Sequence, residues 1–394
     1  MKKNLLLILS FCLCITSVAQ TEDVAADSLP WPQNLRVKVD SVLMTPLLQT
    51  SQLGLMIYDL TADSVLYTSG HRQTLRPAST MKLVTAVTAL DQLPADYQLK
   101  TSLYYTGSIR GGTLYGNLCC VGGMDPMFGM ADLNYFVNQV RHQGIDTIRG
   151  RLLPDLTFKD NDLLGEGWCW DDDNPILTPL LFDGKDDFME RFERELKRDS
   201  VVIINTDAPR SRSSKFICSR GHTVDDVLQQ MMKDSDNLYA ESLFYQLAAN
   251  DGTRPAKAKQ SANVVKRIIQ KVALRPGDYR IADGSGLSLY NYVSAELETR
   301  LLRYIWKRPK LFERLYDSLP IAAVDGTLKK RMLNGYAAGN VHAKTGSVSG
   351  ISSLAGYCTA ANGHELCFSI INQGIMHMAD GRDLQDQLCE IMCK

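Results

Sequence analysis

The chain has 394 residues, 45 % of them apolar and 22 % charged, an ordinary globular composition with enough length for two domains. A formal net charge of −1 leaves no basic field to draw in nucleic acid. The local cluster Arg210, Arg212, Lys215 and Arg220 lacks interleaved aromatics on which bases would stack, and it reads as a solvated loop.

The opening residues, MKKNLLLILSFCLCITSVAQT, read as an export signal. Lys2 and Lys3 precede an apolar run that ends near Ile15, too short to span a bilayer. Ser17-Val18-Ala19 then offers small residues where a signal peptidase cuts. Residues 1–19 are assigned to a signal peptide on this basis, and the protein is expected to be periplasmic or otherwise exported. No later stretch is apolar and long enough for a membrane span. Phe11 and Leu13 are too bulky for the usual lipoprotein signal before Cys12 and Cys14. Of the ten cysteines, these two go with the signal, and export permits the rest to form disulfides. Cys358 and Cys367 flank a hairpin turn and make the best candidate pair, with buried free thiols as the alternative. No C-x-x-C spacing suggests zinc, and no metal or cofactor is expected.

Apolar spacing predicts an amphipathic helix over 36–48. The stretches LGLMIYDL and SVLYTS read as two strands around Thr61-Ala62-Asp63. A loop with Arg76-Pro77 leads into a helix from about Thr80 to Leu93. Proline cannot continue a helix backwards, so Ser79 falls at or beside the helix N-terminus. From Tyr97 to about Thr157 short strands alternate with glycine turns, interrupted by a helix at 131–143, and an inserted domain is placed at 98–213. Beyond it, 223–249 and 256–273 read as helices. SSLAGYC and HELCFSII read as a hairpin around Ala361-Asn362-Gly363, and 380–393 as a last helix.

Three short motifs carry chemistry. Ser79 and Lys82 lie at i and i+3, where an amine can reach a hydroxyl on the same helix face. A neutral lysine can take the serine proton if burial or a nearby cation lowers its pKa. Alone, S-x-x-K is a weak signal, better suited to a capping serine and a surface lysine. Ser235-Asp236-Asn237 and Lys344-Thr345-Gly346 follow in that order, and S-x-x-K, S-D-N and K-T-G together mark penicillin-binding proteins and class A β-lactamases. No G-x-S-x-G, H-E-x-x-H or P-loop occurs, which argues against α/β-hydrolase, zinc-peptidase and nucleotide-binding readings.

The chain resembles the D-alanyl-D-alanine carboxypeptidase/endopeptidase family of penicillin-binding proteins, the penicillin-binding protein 4 type of peptidase family S13. The likeness extends to PASTMKLVTAVTAL, GGMDP, SDNLYAESL, ADGSGLS, VDGTLKKR and AKTGSVSGISSLAGY. It implies an α+β fold: a β-lactamase/transpeptidase-like domain built from 20–97 and 214–394, with an antiparallel sheet flanked by helices. A strand-rich second domain, 98–213, would be inserted in it, shortened relative to the family.

The resemblance also implies roles. Ser79 would attack the penultimate D-Ala carbonyl of a peptidoglycan stem peptide, with Lys82 as base. Ser235 would relay a proton to the leaving amine, and the Asn237 amide would hold the substrate backbone. Lys344 would keep the site electropositive and help depress the pKa of Lys82. Thr345 would bind the terminal carboxylate, Gly346 would let the strand pass close, and the Ser347 N–H would join that of Ser79 as oxyanion hole. β-Lactams would be covalent inhibitors. Asp283 and Ser285 would either contribute to the site or only shape a glycine turn, and Arg331 would meet substrate or solvent. In WCWDDDNP, Asp172, with Asp173 second, is the candidate partner for a free ammonium on the stem peptide, against a plain acidic turn. A serine β-lactamase and a non-catalytic peptidoglycan-binding protein are the alternatives.

Overall fold

The computed structural model describes residues 28–170, 174–207 and 213–394; the assigned signal segment, Asp172 and Asp173 lie outside them. A helix at Gln33–Leu43 precedes the hairpin of β1 (Gln52–Asp59) and β2 (Ser64–Ser69). The predicted 36–48 helix stops early, because the chain reaches Pro46 and resumes only as a single turn at Leu47–Thr50. A 3-10 turn, Ala78–Thr80, then runs into the helix Met81–Gln92.

The middle of the chain supplies β3 (Gln98–Thr106), β4 (Ser108–Arg110), β5 (Thr113–Tyr115) and β6 (Leu118–Val121). They are followed by the helix Met130–His142, β7 (Thr147–Gly150) and β8 (Leu152–Asp155). The helix Phe188–Arg198, β9 (Val202–Asn205) and β10 (Ser214–Thr223) complete this part. These strands form two four-stranded sheets, ordered β10-β3-β6-β8 and β4-β5-β7-β9, in which β5–β7, β6–β8 and β7–β9 run parallel. Residues 214–223, assigned by sequence to the transpeptidase-like domain, are hydrogen-bonded to β3 along their length. We therefore propose that the inserted unit runs from Gln98 to Thr223.

The chain then returns through the helices Val224–Lys233, Asn237–Asn250, Ala258–Lys271, Ala295–Trp306 and Pro309–Ser318. Strands β11 (His342–Val348), β12 (Ile351–Thr359) and β13 (Glu365–Gln373) precede the last helix, Met378–Cys393. The continuous helix read at 223–249 is in fact two, split by the turn that holds Ser235. The main sheet is antiparallel throughout, ordered β11-β12-β13-β1-β2. Alternation along β1 feeds both faces: Met56 and Tyr58 join Val84, Leu301 and Ile371, while Leu55 and Ile57 join Leu35, Val39, Leu384 and Leu388. A sheet covered on both sides explains the near-continuous apolar run of β1. The expected α+β architecture is thus the one found.

The expected Cys358–Cys367 disulfide does not form; all eight described cysteines are free. Tyr357 pairs with Cys367 and Cys358 with Leu366, so the two cysteines are out of step by one residue. Side-chain alternation sends Cys358 toward Cys389 and Cys393, and Cys367 to the opposite face.

Candidate active site

The site is built where three elements meet. Ser79 lies in the 3-10 turn after Pro77, and Ala78 before it has φ 50°, a left-handed conformation that non-glycine residues seldom adopt. Lys82 follows in the first turn of the helix and is fully buried. Its Nζ lies 3.0 Å from Ser79 Oγ and donates to Asn237 Oδ1 at 2.7 Å and to the Ser285 carbonyl at 2.8 Å. A neutral amine has two hydrogens and one lone pair. The two carbonyl acceptors take the hydrogens, which leaves the lone pair for the Ser79 hydroxyl proton.

Ser235 occupies the break between two helices with φ 62°, and Asp236 caps the second by accepting from Tyr239 N at 3.2 Å. This break turns Ser235 and Asn237 toward different lysines. Ser235 Oγ accepts from Lys344 Nζ at 2.8 Å, and the same amine donates to the Thr345 carbonyl at 2.7 Å. Lys344 sits on β11, the edge strand of the main sheet, with its side chain fully buried. Thr345 Oγ1 bonds Thr327 Oγ1 at 2.7 Å. A Cβ on Gly346 would lie 2.7 Å from the Pro77 carbonyl and 2.9 Å from Ser79 N, so only glycine allows β11 to pass this near the nucleophile's backbone. Ser347 follows it, exposed. A cleft of about 620 Å³ opens beside Ser235 and Asn237, walled by Met127, Asn174 and Asp183 of the inserted unit.

Burial lowers the Lys82 pKa to about 8, against the opposing charges of Asp283, Glu241 and Asp236. Lys344 is pushed well below its ordinary value, by burial first and the charge of Lys82 second. Glu241 is raised to about 8 by burial and then by the charge of Asp283. Burial thus moves the Lys82 amine beside Ser79 toward its neutral form, the condition a lysine base requires.

Hydrogen bonds join Ser79, Lys82 and Asn237 in one group and Ser235 and Lys344 in another, Gly346 packs against Ser79 N, and Ser235 and Asn237 line the cleft. Asp172 falls outside the described residues; next to its segment Trp170 is exposed and Asn174 lines the cleft. Ser285 contributes its carbonyl, and Asp283 shapes the turn that presents it. Arg331 turns away, its Nε donating to Asp386 Oδ1 of the last helix at 3.1 Å. Sequence reasoning missed Glu241, which accepts from Gly284 N at 3.0 Å and Ser285 N at 2.8 Å. Its signal was available: it stands four residues after Asn237, on the same helix face. Ser353, whose Oγ donates to the Pro77 carbonyl, carried no comparable signal.

The model of the D-Ala-D-Ala carboxypeptidase 3 (S13) family matches residues 35–181 and 177–394. The chain is 28 % identical to the D-alanyl-D-alanine carboxypeptidase DacB of Haemophilus influenzae, over 86 % of this chain and 88 % of that one. It is 26 % identical to a D-alanyl-D-alanine carboxypeptidase of an Actinomadura species, covering 86 % and 81 %. In structure it is similar to penicillin-binding protein 4 of Haemophilus influenzae, with a TM-score of 0.81 at 24 % identity, over 89 % of this chain and 99 % of that one. A structure of that protein complexed with a β-lactam gives a TM-score of 0.73 at 25 % identity, over 90 % and 99 %.

Proposed function

The chain belongs to the D-Ala-D-Ala carboxypeptidase 3 (S13) family, and from that premise we propose that it is an exported serine DD-peptidase acting on peptidoglycan stem peptides. The observation that carries this reading is the buried Lys82 amine, 3.0 Å from Ser79 Oγ with its hydrogens directed to two carbonyl oxygens.

Neutral Lys82 takes the Ser79 proton as Oγ bonds to the carbonyl carbon of the penultimate D-Ala. The carbonyl π pair moves onto oxygen, where the N–H groups of Ser79 and Ser347 receive it. Collapse breaks the C–N bond, and the proton taken by Lys82 passes through the Ser235 hydroxyl to the leaving amine of the terminal D-Ala, which returns Lys82 to its neutral form. Lys344 holds that hydroxyl at 2.8 Å, and the Thr345 hydroxyl binds the terminal carboxylate. Asn237, its oxygen engaged by Lys82, turns its amide N–H groups to the substrate's backbone carbonyl. Water then cleaves the ester, with Lys82 again as base, and frees Ser79. When the bond cleaved is a cross-link to a diamino acid instead of a terminal D-Ala, the same steps give endopeptidase action. β-Lactams, which carry the same acyl carbonyl in a strained ring, would acylate Ser79.

Asp172 is the proposed partner for a free side-chain ammonium on the stem peptide. Asp172→Asn is expected to impair turnover of a peptide with a free side-chain amine and spare its acetylated counterpart; equal effects on both would remove Asp172 from the site.

The test of the function is a time course with a fluorescent penicillin beside an assay of D-Ala release. Persistent labelling at Ser79 with D-Ala release supports the peptidase. Transient labelling without D-Ala release would mean a β-lactamase, and no labelling a non-catalytic wall-binding protein.

A further inference from the structure

We propose that Trp168 is a positioning residue for the Ser79–Lys82 pair, its indole N–H fixing the turn that holds the lysine amine against the serine. The proposal rests on the reading of Ser79 as nucleophile and Lys82 as base. Trp168 belongs to the inserted unit and is only 9 % exposed, packed in a cluster with Met124, Phe158, Leu177 and Leu238. That cluster accounts for a large apolar ring but not for its N–H, a donor that must find an acceptor once buried. The acceptor is Asp283 Oδ2, at 2.8 Å.

Asp283 is itself 1 % exposed and gathers donors on both oxygens. Oδ1 accepts from Gly286 N at 2.8 Å and Asn291 Nδ2 at 2.6 Å. Oδ2 accepts from Ser288 N at 2.7 Å and Ser285 Oγ at 3.3 Å, besides the indole. These bonds close residues 283–288 into a turn that touches the catalytic pair twice. The Ser285 carbonyl holds Lys82 Nζ at 2.8 Å. Gly286, at φ 83°, lies so close to the residue before Ser79 that a Cβ there would stand 1.8 Å from the Ala78 carbonyl oxygen. A second tie joins the same segments, from Ser288 Oγ to the Glu166 carbonyl at 2.6 Å. The inserted unit therefore reaches the base through one carboxylate and one carbonyl.

The electrostatics give this arrangement a signature that loss of packing lacks. The charge of Asp283 favours the protonated form of Lys82, and the indole N–H offsets part of that charge. Removing the N–H both loosens the turn and exposes Lys82 to more of the carboxylate's field. In full-length Trp168→Phe, acylation by a fluorescent penicillin, per folded molecule, is expected to slow about tenfold. The acid limb of its pH–rate profile is expected to move to higher pH, a shift that a smaller active fraction would not produce. If Trp168→Phe does not fold, 3-benzothienylalanine at position 168 keeps the bicyclic shape and removes only the N–H, with the same two readouts. Wild-type labelling at Ser79 tests the underlying reading separately. With it in hand, a wild-type rate and an unmoved acid limb in the N–H-free protein overturn the role of Trp168 alone; an unlabelled wild type overturns both.

Discussion

In the proposed mechanism Lys82 is the residue on which the chemistry turns, and its surroundings state when it works. With its pKa near 8, acylation should rise as pH increases through about 8, because only the neutral amine can accept the Ser79 proton. Ser79→Ala should abolish penicillin labelling and lower D-Ala release by at least about a thousandfold, with the fold retained; Lys82→Ala should come close to the same loss. Glu241 offers a finer test. Its carboxyl, raised to about 8 by burial, is neutral over most of the acid limb, so Glu241→Gln, which keeps an acceptor for Gly284 N and Ser285 N, should leave the acid limb of acylation nearly unmoved. The same substitution has a stability consequence with a defined sign. Between about 4.5 and about 8 the unfolded carboxyl is ionised while the folded one is neutral, so this group makes wild-type stability fall as pH rises across that window. Denaturant titrations across the window should show a smaller decline for Glu241→Gln.

At the level of elements, the site depends on interruptions. The run read from sequence as one helix over 223–249 breaks at Ser235, and without the break Ser235 and Asn237 could not serve Lys344 and Lys82 separately. Asp236→Ala removes the cap of the second helix and should cost about 1 kcal/mol in denaturant unfolding. It should also slow penicillin labelling, since the capping residue lies between the two site residues. The hairpin of β12 and β13 makes a different prediction. Non-reducing peptide maps of oxidised protein should contain no Cys358–Cys367 link, because the register places them on opposite faces of the sheet.

On the scale of the whole molecule, the inserted unit and the catalytic part share apolar surface. Met124, Phe158, Trp168, Leu177 and Leu181 from the former pack with Leu238, Tyr245, Ala248 and Ala256 from the latter. Leu181→Ala, at a side chain 1 % exposed, should cost about 2–5 kcal/mol and lower a single cooperative melting transition. Two separated transitions in wild-type calorimetry would show that the units melt independently and that this shared cluster does not couple them.

The sequence alone determined the chemistry, because each motif is a short run whose meaning is local: a serine and a lysine one helical turn apart after a proline, a polar turn, a lysine before a small strand residue. It also gave the helices and strands with clear periodicity, such as Met81–Gln92 and the β12–β13 hairpin. Helix Phe188–Arg198 escaped the reading, as did the helices over 295–318. The pairing of residues 214–223 with β3 was also out of reach, since strand partnership depends on what lies across the sheet and not on the strand's own pattern. The same holds for cysteine pairing, which register decides. Tertiary structure alone set the state of Lys82 as well. Its burial, the Ser285 carbonyl and the carboxylates of Glu241 and Asp283 come from segments distant in the chain, and a pKa is fixed by what surrounds a group in space.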